Sequence, residues 1–322
     1  MLSTGTDKPL RAAVIGVGYL GRFHAQKYRQ LEGVELVAVA DATPVTAEAV
    51  GSELQVPSVN DYRELFGRVD LVSVVVPTPL HFAVAGEFLK RGVHVLVEKP
   101  ITETVVQAQE LIALAKAHRC VLQVGHLERF NPAVQAAAKL IRAPRFVESH
   151  RLAPFKLRGT DVSVVLDLMI HDIDLIQELV GQPIEHIDAV GSRIFSQDID
   201  IANARIRFNG GCVVNTTASR VSLKQERKLR IFQDDAYISV DLQQKILTVV
   251  RKKEAGPIES PAQVSIDEQS FDQGDALLSE IQAFVHAVRS GTTPVVTGED
   301  GLRALATAMQ ITALVNAGVS AD

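Results

Sequence analysis

From Leu10 to about Gly125 the chain alternates short runs of apolar, often β-branched residues with longer amphipathic stretches. The apolar runs cover Ala12 to Ile15, Val34 to Ala40, Leu71 to Val76, Val93 to Val97 and Val121 to Val124. Segments such as LVSVVV and HVLV are apolar at nearly every position, which fits strands covered by helices on both faces. Helical spacing fills the intervals near residues 19 to 31, 44 to 54, 80 to 91 and 104 to 118. Strand and helix in alternation make successive βαβ units, so the pattern predicts a doubly wound parallel sheet.

After Asn131 the pattern changes. A helix is expected to about Ile141, a strand near Arg145 to Arg151, and then a loop leading into a helix at about Val164 to Val180. From Glu185 to Val250 several segments alternate polar and apolar residues with a period of two, as strands with one covered face do. Ala204 to Phe208 and Cys212 to Ala218 are joined through Asn209-Gly210-Gly211, which supplies the positive-φ positions that a tight hairpin needs. Two helices, near residues 275 to 289 and 300 to 316, close the chain. The expected class is α/β. An N-terminal Rossmann sheet spans residues 1–125, and a C-terminal α+β domain with a large open, mostly antiparallel sheet spans 126–322, its last helices able to pack back on the first. A length of 322 residues agrees with two domains.

Composition narrows the function. A formal net charge of -5 argues against bulk attraction to nucleic acid or an anionic membrane. Cys120 and Cys212 are the two cysteines, far apart and without metal-ligand spacing, so neither a disulfide framework nor a zinc site is expected. No apolar run reaches the roughly 18 residues that span a bilayer, and the opening MLSTGTDKPLR lacks the apolar core of a secretion signal. The expectation is a cytoplasmic protein.

The first βα turn carries Gly16-Val17-Gly18-Tyr19-Leu20-Gly21, a GxGxxG placed directly after a strand and before a helix. Residues without Cβ permit the tight turn and the close approach of a diphosphate, and the helix N-terminus offers N–H groups to it. Asp41 ends the second strand 20 residues beyond Gly21, where a carboxylate accepts hydrogen bonds from the adenosine ribose. Ala42 and Thr43 follow it and bring no cation for a 2′-phosphate, so NAD is expected rather than NADP. Further polar groups stand after buried strands, where open α/β sheets place ligands: Thr78 and His81, then Glu98-Lys99-Pro100, then Gly125-His126-Leu127-Glu128-Arg129-Phe130. A fourth group, Asp167 to Asp174, puts Asp167 and His171 at i and i+4 on one helical face.

With these residues the chain resembles the glucose-fructose oxidoreductase, inositol dehydrogenase and MocA family over nearly its whole length. The GxGxxG turn, the EKP tripeptide, the GHxxRFxP segment and the DxxxHxxD helix occur in the family's order and spacing. The resemblance implies a dehydrogenase with Lys99, Asp167 and His171 as catalytic residues. Chemistry agrees: oxidising a secondary alcohol requires loss of the hydroxyl proton, which imidazole accepts near neutral pH, while Lys99 can donate to the developing alkoxide. His81 either packs near the nicotinamide or caps a helix. Glu98 is expected either at the nicotinamide ribose or in solvent, and Arg129 either reaches substrate or holds the two domains together. His24 shows no partner pattern.

Arg151, Lys156 and Arg158 lie in the stretch joining the second domain's first strand to the Asp167 helix, and cations there suggest an anionic ligand. RGTDVSVVLDLMIHDID is similar to the family members that oxidise UDP-N-acetylglucosamine at C3 to a 3-keto sugar. Alternatives are an inositol or free-sugar dehydrogenase and a non-catalytic NAD- and sugar-binding regulator. A homodimer or homotetramer is expected from the broad second sheet.

Overall fold

The structure, a computed structural model, describes residues 8–156, 162–254, 256–271 and 273–319. The chain divides into two compact units, Met1–His126 with Leu277–Leu302 and Leu127–Ala276 with Arg303–Asp322.

In the first unit the strands are β1 (Leu10–Ile15), β2 (Val34–Ala40), β3 (Ser58–Val59), β4 (Leu71–Val74), β5 (His94–Glu98) and β6 (Leu122–Gly125). All pair in parallel, in the order β3-β2-β1-β4-β5-β6. Helices α1 (Tyr19–Gln30), α2 (Pro44–Leu54), α3 (Thr78–Leu89) and α4 (Val105–Ala117) make the crossovers. Local chemistry sets their ends. Pro44 starts α2 with its φ already helical, and Thr104 and Gln107 form a reciprocal capping box at the head of α4. Helix α7 (Ala276–Ser290) returns to this unit and places Ile281, Phe284 and Val285 in a core with Tyr28, Leu71 and Leu96.

The second unit opens with α5 (Pro132–Ala138) and β7 (Phe146–Leu152). One π turn at Val165–Met169 leads into α6 (Ile170–Val180), which stops at Gly181 with φ +63°. Then follow β8 (Ile184–Ser192), β9 (Ile201–Phe208), β10 (Val213–Ser219), β11 (Glu226–Gln233), β12 (Ala236–Asp241), β13 (Ile246–Lys252) and β14 (Val264–Ser270). They form one sheet in the order β14-β13-β12-β11-β7-β10-β9-β8, antiparallel throughout except for β7 beside β10. Gly210 and Gly211 both take φ +89° in the β9–β10 turn, as the Asn-Gly-Gly sequence requires. Alternate residues of the strands pack against α5, α6 and the later part of α8 (Gly298–Val319).

Three details differ from the sequence pattern. Strand β14 lies beyond the expected limit at Val250, and β3 has only two residues. The helix expected from Val164 to Val180 is a π turn followed by an α-helix, because the Ile170 N–H reaches back five residues to the Val165 carbonyl.

Candidate active site

The GxGxxG turn shows a separate reason for each glycine. Gly16 has φ +86°, and a Cβ there would lie 2.6 Å from the Val75 carbonyl oxygen. At Gly21 a Cβ would sit 1.8 Å from the Gly16 carbonyl, so α1 approaches its own strand too closely for any side chain. Gly18 is different: a Cβ there would meet nothing within 4 Å. No contact among the described residues requires its bareness, and an open backbone at this position fits the close approach of a diphosphate. Tyr19 and Leu20 form the first turn of α1, with the Tyr19 ring 71% exposed and packed edge-on to Phe23.

Asp41 closes this turn from the end of β2. One carboxylate oxygen accepts the Val17 N–H at 2.9 Å and the other accepts the Thr43 N–H at 2.9 Å. The carboxylate is thereby fixed beside the glycine turn with lone pairs left for ribose hydroxyls. These residues fit NAD.

Thr78 is the first residue of α3, after Pro77. His81 is buried, with Nδ1 at 2.8 Å from the Pro100 carbonyl and Nε2 at 2.8 Å from the Val76 carbonyl. It caps no helix end; it ties the turn after β4 to the segment after β5. Burial lowers its pKa despite those carbonyls. Lys99 stands half-buried directly after β5.

Glu98 closes β5 and joins a buried polar cluster. Its carboxylate points inward, with Oε1 at 3.2 Å from His24 Nε2 and Oε2 accepting the Lys99 N–H at 3.2 Å. A Cβ on Gly125 would lie 2.8 Å from Glu98 Oε1, so the glycine in the adjoining strand makes room for the acid. His24 is fully buried, and its Nδ1 lies 3.2 Å from the Ser73 hydroxyl, which in turn bonds Tyr28. Burial works to raise the Glu98 pKa, but contacts with His24 and Lys99 prevail and leave it below the ordinary value.

Glu280, on α7, faces the same cluster. Ligand-type atoms of His24, Glu98 and Glu280 all lie within 4.8 Å of one another, a grouping able to hold a cation. Glu280 is fully buried, and neither carboxyl oxygen has a hydrogen-bond partner among the described residues. Burial, then the charge of Glu98, pushes its pKa well above 4.5, so a single proton relieves the charge. Sequence reasoning missed both His24 and Glu280. The available signal was a polar His inside the buried stripe Gly21, His24, Ala25 and Tyr28 of α1.

In the second unit the π turn carries Asp167 and α6 begins the turn that carries His171; both are half-buried. Ser163 anchors the start, its carbonyl accepting the Asp167 N–H at 3.0 Å and its hydroxyl accepting the Val165 N–H at 3.2 Å. A π turn is rare and occurs frequently at functional sites.

Two expected substrate cations are engaged elsewhere. Arg129 forks onto Asp174, Nε to Oδ2 at 2.6 Å and Nη2 to Oδ1 at 2.8 Å, and its Nη1 meets Glu178 at 2.8 Å. Arg151, buried on β7, donates to Asp172 at 2.7 and 3.1 Å and to Glu128 at 3.0 Å. Burial opposes the Arg151 charge, yet the two carboxylates raise its pKa above the usual arginine value. Both guanidiniums hold α6 and the Glu128 turn in place, and the acids that Arg129 meets, Asp174 and Glu178, lie in the second unit with it. Lys156 is exposed, and Arg158 lies outside the described residues.

Residues 10–126 match the oxidoreductase family described as an NAD-binding Rossmann fold, and residues 144–239 match the GFO/IDH/MocA C-terminal domain. The UDP-N-acetylglucosamine 3-dehydrogenase of Acidithiobacillus ferrooxidans is 39% identical over 96% of this chain and 98% of its own. The chain belongs to the GFO/IDH/MocA family. A solved structure of UDP-N-acetylglucosamine 3-dehydrogenase GnnA from Acidithiobacillus ferrooxidans superposes with a TM-score of 0.90, at 39% identity, covering 96% of this chain and 98% of that one. The scyllo-inositol 2-dehydrogenase (NAD(+)) of Bacillus subtilis is 28% identical over 91% of this chain and 90% of its own. This family member is therefore an NAD-dependent oxidoreductase, and among its described residues no helix is long and apolar enough to cross a membrane.

Two measurements check the site. Gly18→Ala should keep the wild-type Tm while weakening NAD about tenfold, whereas Gly21→Ala should lower Tm, since its Cβ meets backbone. Loss of Tm in Gly18→Ala, or unchanged NAD affinity, would place the close approach elsewhere. Glu280→Gln tests the buried acid. Because the folded carboxyl is raised above its unfolded value, its contribution is complete below about pH 4.5 and is lost as pH rises toward the folded value. The Tm of Glu280→Gln relative to wild type should therefore climb between about pH 5 and pH 8. A pH-independent difference contradicts a protonated Glu280.

Proposed function

We propose that this oxidoreductase transfers a hydride from the C3 hydroxyl of UDP-N-acetylglucosamine to NAD and yields the 3-keto sugar. The observation that carries this reading is full-length similarity to a UDP-N-acetylglucosamine 3-dehydrogenase, at 39% identity against 28% for an inositol dehydrogenase. Lys99, Asp167 and His171 are all present, which favours turnover over a purely regulatory role.

In the proposed reaction residues 1–125 hold the cofactor and residues 126–322 serve substrate binding and assembly into a homodimer or homotetramer, in the cytoplasm. Gly16, Gly18, Tyr19, Leu20 and Gly21 receive the diphosphate of NAD, Asp41 its adenosine ribose, and Thr78 and His81 line the nicotinamide end. NAD supplies the acceptor for the hydride. His171 removes the hydroxyl proton as the C3 hydride departs, because a base must act in the same step. Asp167, one turn earlier, orients the imidazole and favours its charged form. Lys99 donates to the oxygen on which negative charge develops. Lys156 and Arg158 remain the candidates for the substrate diphosphate from the loop; Arg151 does not.

Initial rates of NADH formation with UDP-N-acetylglucosamine, myo-inositol and glucose test the substrate. UDP-N-acetylglucosamine should be oxidised fastest, and faster oxidation of myo-inositol or glucose would overturn the nucleotide-sugar reading. His171→Ala and Lys99→Ala should each lower kcat about a hundredfold without loss of NAD affinity. A variant with wild-type kcat would remove that residue from the chemistry.

A further inference from the structure

Strand β11 runs antiparallel to β7 and sets Arg227 directly opposite Arg151. Leu229 and Ile231, two and four residues on, point into the core that α5 and α6 cover, so strand alternation directs Arg227 to the same face. Glu226 and Arg230 belong to the opposite face, where both approach His150. Arg227 therefore lies on the α6 side of the sheet, one strand from Arg151. It is half-buried.

The two guanidiniums differ in what they touch. Arg151 takes Asp172 and Glu128, whereas Arg227 makes no side-chain hydrogen bond or ion pair with another described residue. Asp172 Oδ1 accepts twice from Arg151 while its Oδ2, buried, meets no donor among the described residues, Arg227 included, and Glu128 Oε1 accepts from Arg151 while its Oε2 faces Asn131. Burial, then repulsion from Arg151, lowers the Arg227 pKa, and attraction to Glu128 and Asp172 only partly compensates. An Arg stays charged and carries five N–H donors, so a half-buried guanidinium beside a second cation is poorly satisfied by the protein alone. An anion bound there supplies both the charge and the acceptors. Asp172, which feels Arg227, directly follows His171 on α6.

We propose that Arg227 is a substrate-binding residue that grips the diphosphate of the nucleotide sugar through two parallel N–H···O bonds. The proposal rests on the UDP-sugar reading above. It assigns the engaged Arg151 a supporting role: Arg151 holds Asp172 and Glu128 so that neither neutralises Arg227 before the substrate arrives. Since the diphosphate does not react, the contact is equally strong in ground and transition states and belongs in KM.

Steady-state kinetics of Arg227→Gln and Arg227→Lys, with calorimetric titration of UDP and inorganic pyrophosphate, test it. Arg227→Gln should raise KM for UDP-N-acetylglucosamine at least about tenfold, with kcat changed far less and with Tm no lower than wild type. Arg227→Lys should recover part of the KM, because a point charge replaces the planar fork. UDP and pyrophosphate should bind wild type and lose affinity in Arg227→Gln. Wild-type KM in Arg227→Gln, in an enzyme that does oxidise UDP-N-acetylglucosamine, would overturn the proposal and leave the substrate reading standing. A lowered Tm with unchanged KM in Arg227→Lys would also overturn it and make Arg227 structural. If wild type oxidises no UDP-sugar yet binds pyrophosphate through Arg227, the anion site is upheld and the substrate reading fails.

Discussion

The cofactor face depends on one close approach, the Gly21 Cα against the Gly16 carbonyl. A single methyl group at Gly21 would sit 1.8 Å from that oxygen, well inside any van der Waals contact. Because the contact is permitted, α1 begins at Tyr19, four residues after the end of β1, with Gly18 as its bare N-cap. Asp41 then binds the Val17 N–H and fixes the turn against β2. Strand order places β4 and β5 on the other side of β1, which brings Thr78 and Lys99 to the same ends of the sheet.

A second constraint governs the charged residues around these ends. A charge out of water must be paired or lose its charge, and removing one partner of a buried pair is costly, about 3–5 kcal/mol. Arg129 with Asp174, and Arg151 with Asp172 and Glu128, follow the first course. Glu280 follows the second, kept neutral beside Glu98. Arg129 and Arg151 thus support α6 and the Glu128 turn. Arg227, half-buried opposite Arg151 and without an ion pair to another described residue, follows neither course, which is the ground for its proposed role in anion binding.

Strands β1, β2, β4, β5 and β6 were legible because burial on both faces writes a continuous apolar run. The hairpin at Asn209 to Gly211 was legible because its turn demands positive φ. Strand β14 escaped because its residues are mostly exposed and VSIDEQS carries little alternation. The π turn has no periodicity of its own. The ion pairs of Arg129 and Arg151 and the contact of Glu98 with His24 were not legible, because the partners lie 45, 21 and 74 residues away. Those pairings arise only when strand order and helix packing juxtapose distant segments. The positions of the glycine turn, Asp41 and the EKP segment at strand ends were legible because each is local, whereas Asp167 and His171 fall on a π turn and on the first turn of α6 instead of on one α-helix.

Direct transfer of hydride from a sugar carbon to the cofactor is the central claim. Its most direct measurement uses UDP-N-acetylglucosamine deuterated at C3, with the mass of the NADH formed as the readout. One deuterium is expected in the reduced cofactor and none in the water. Reduced cofactor without deuterium would contradict oxidation at C3, and deuterium appearing in water would contradict hydride transfer itself.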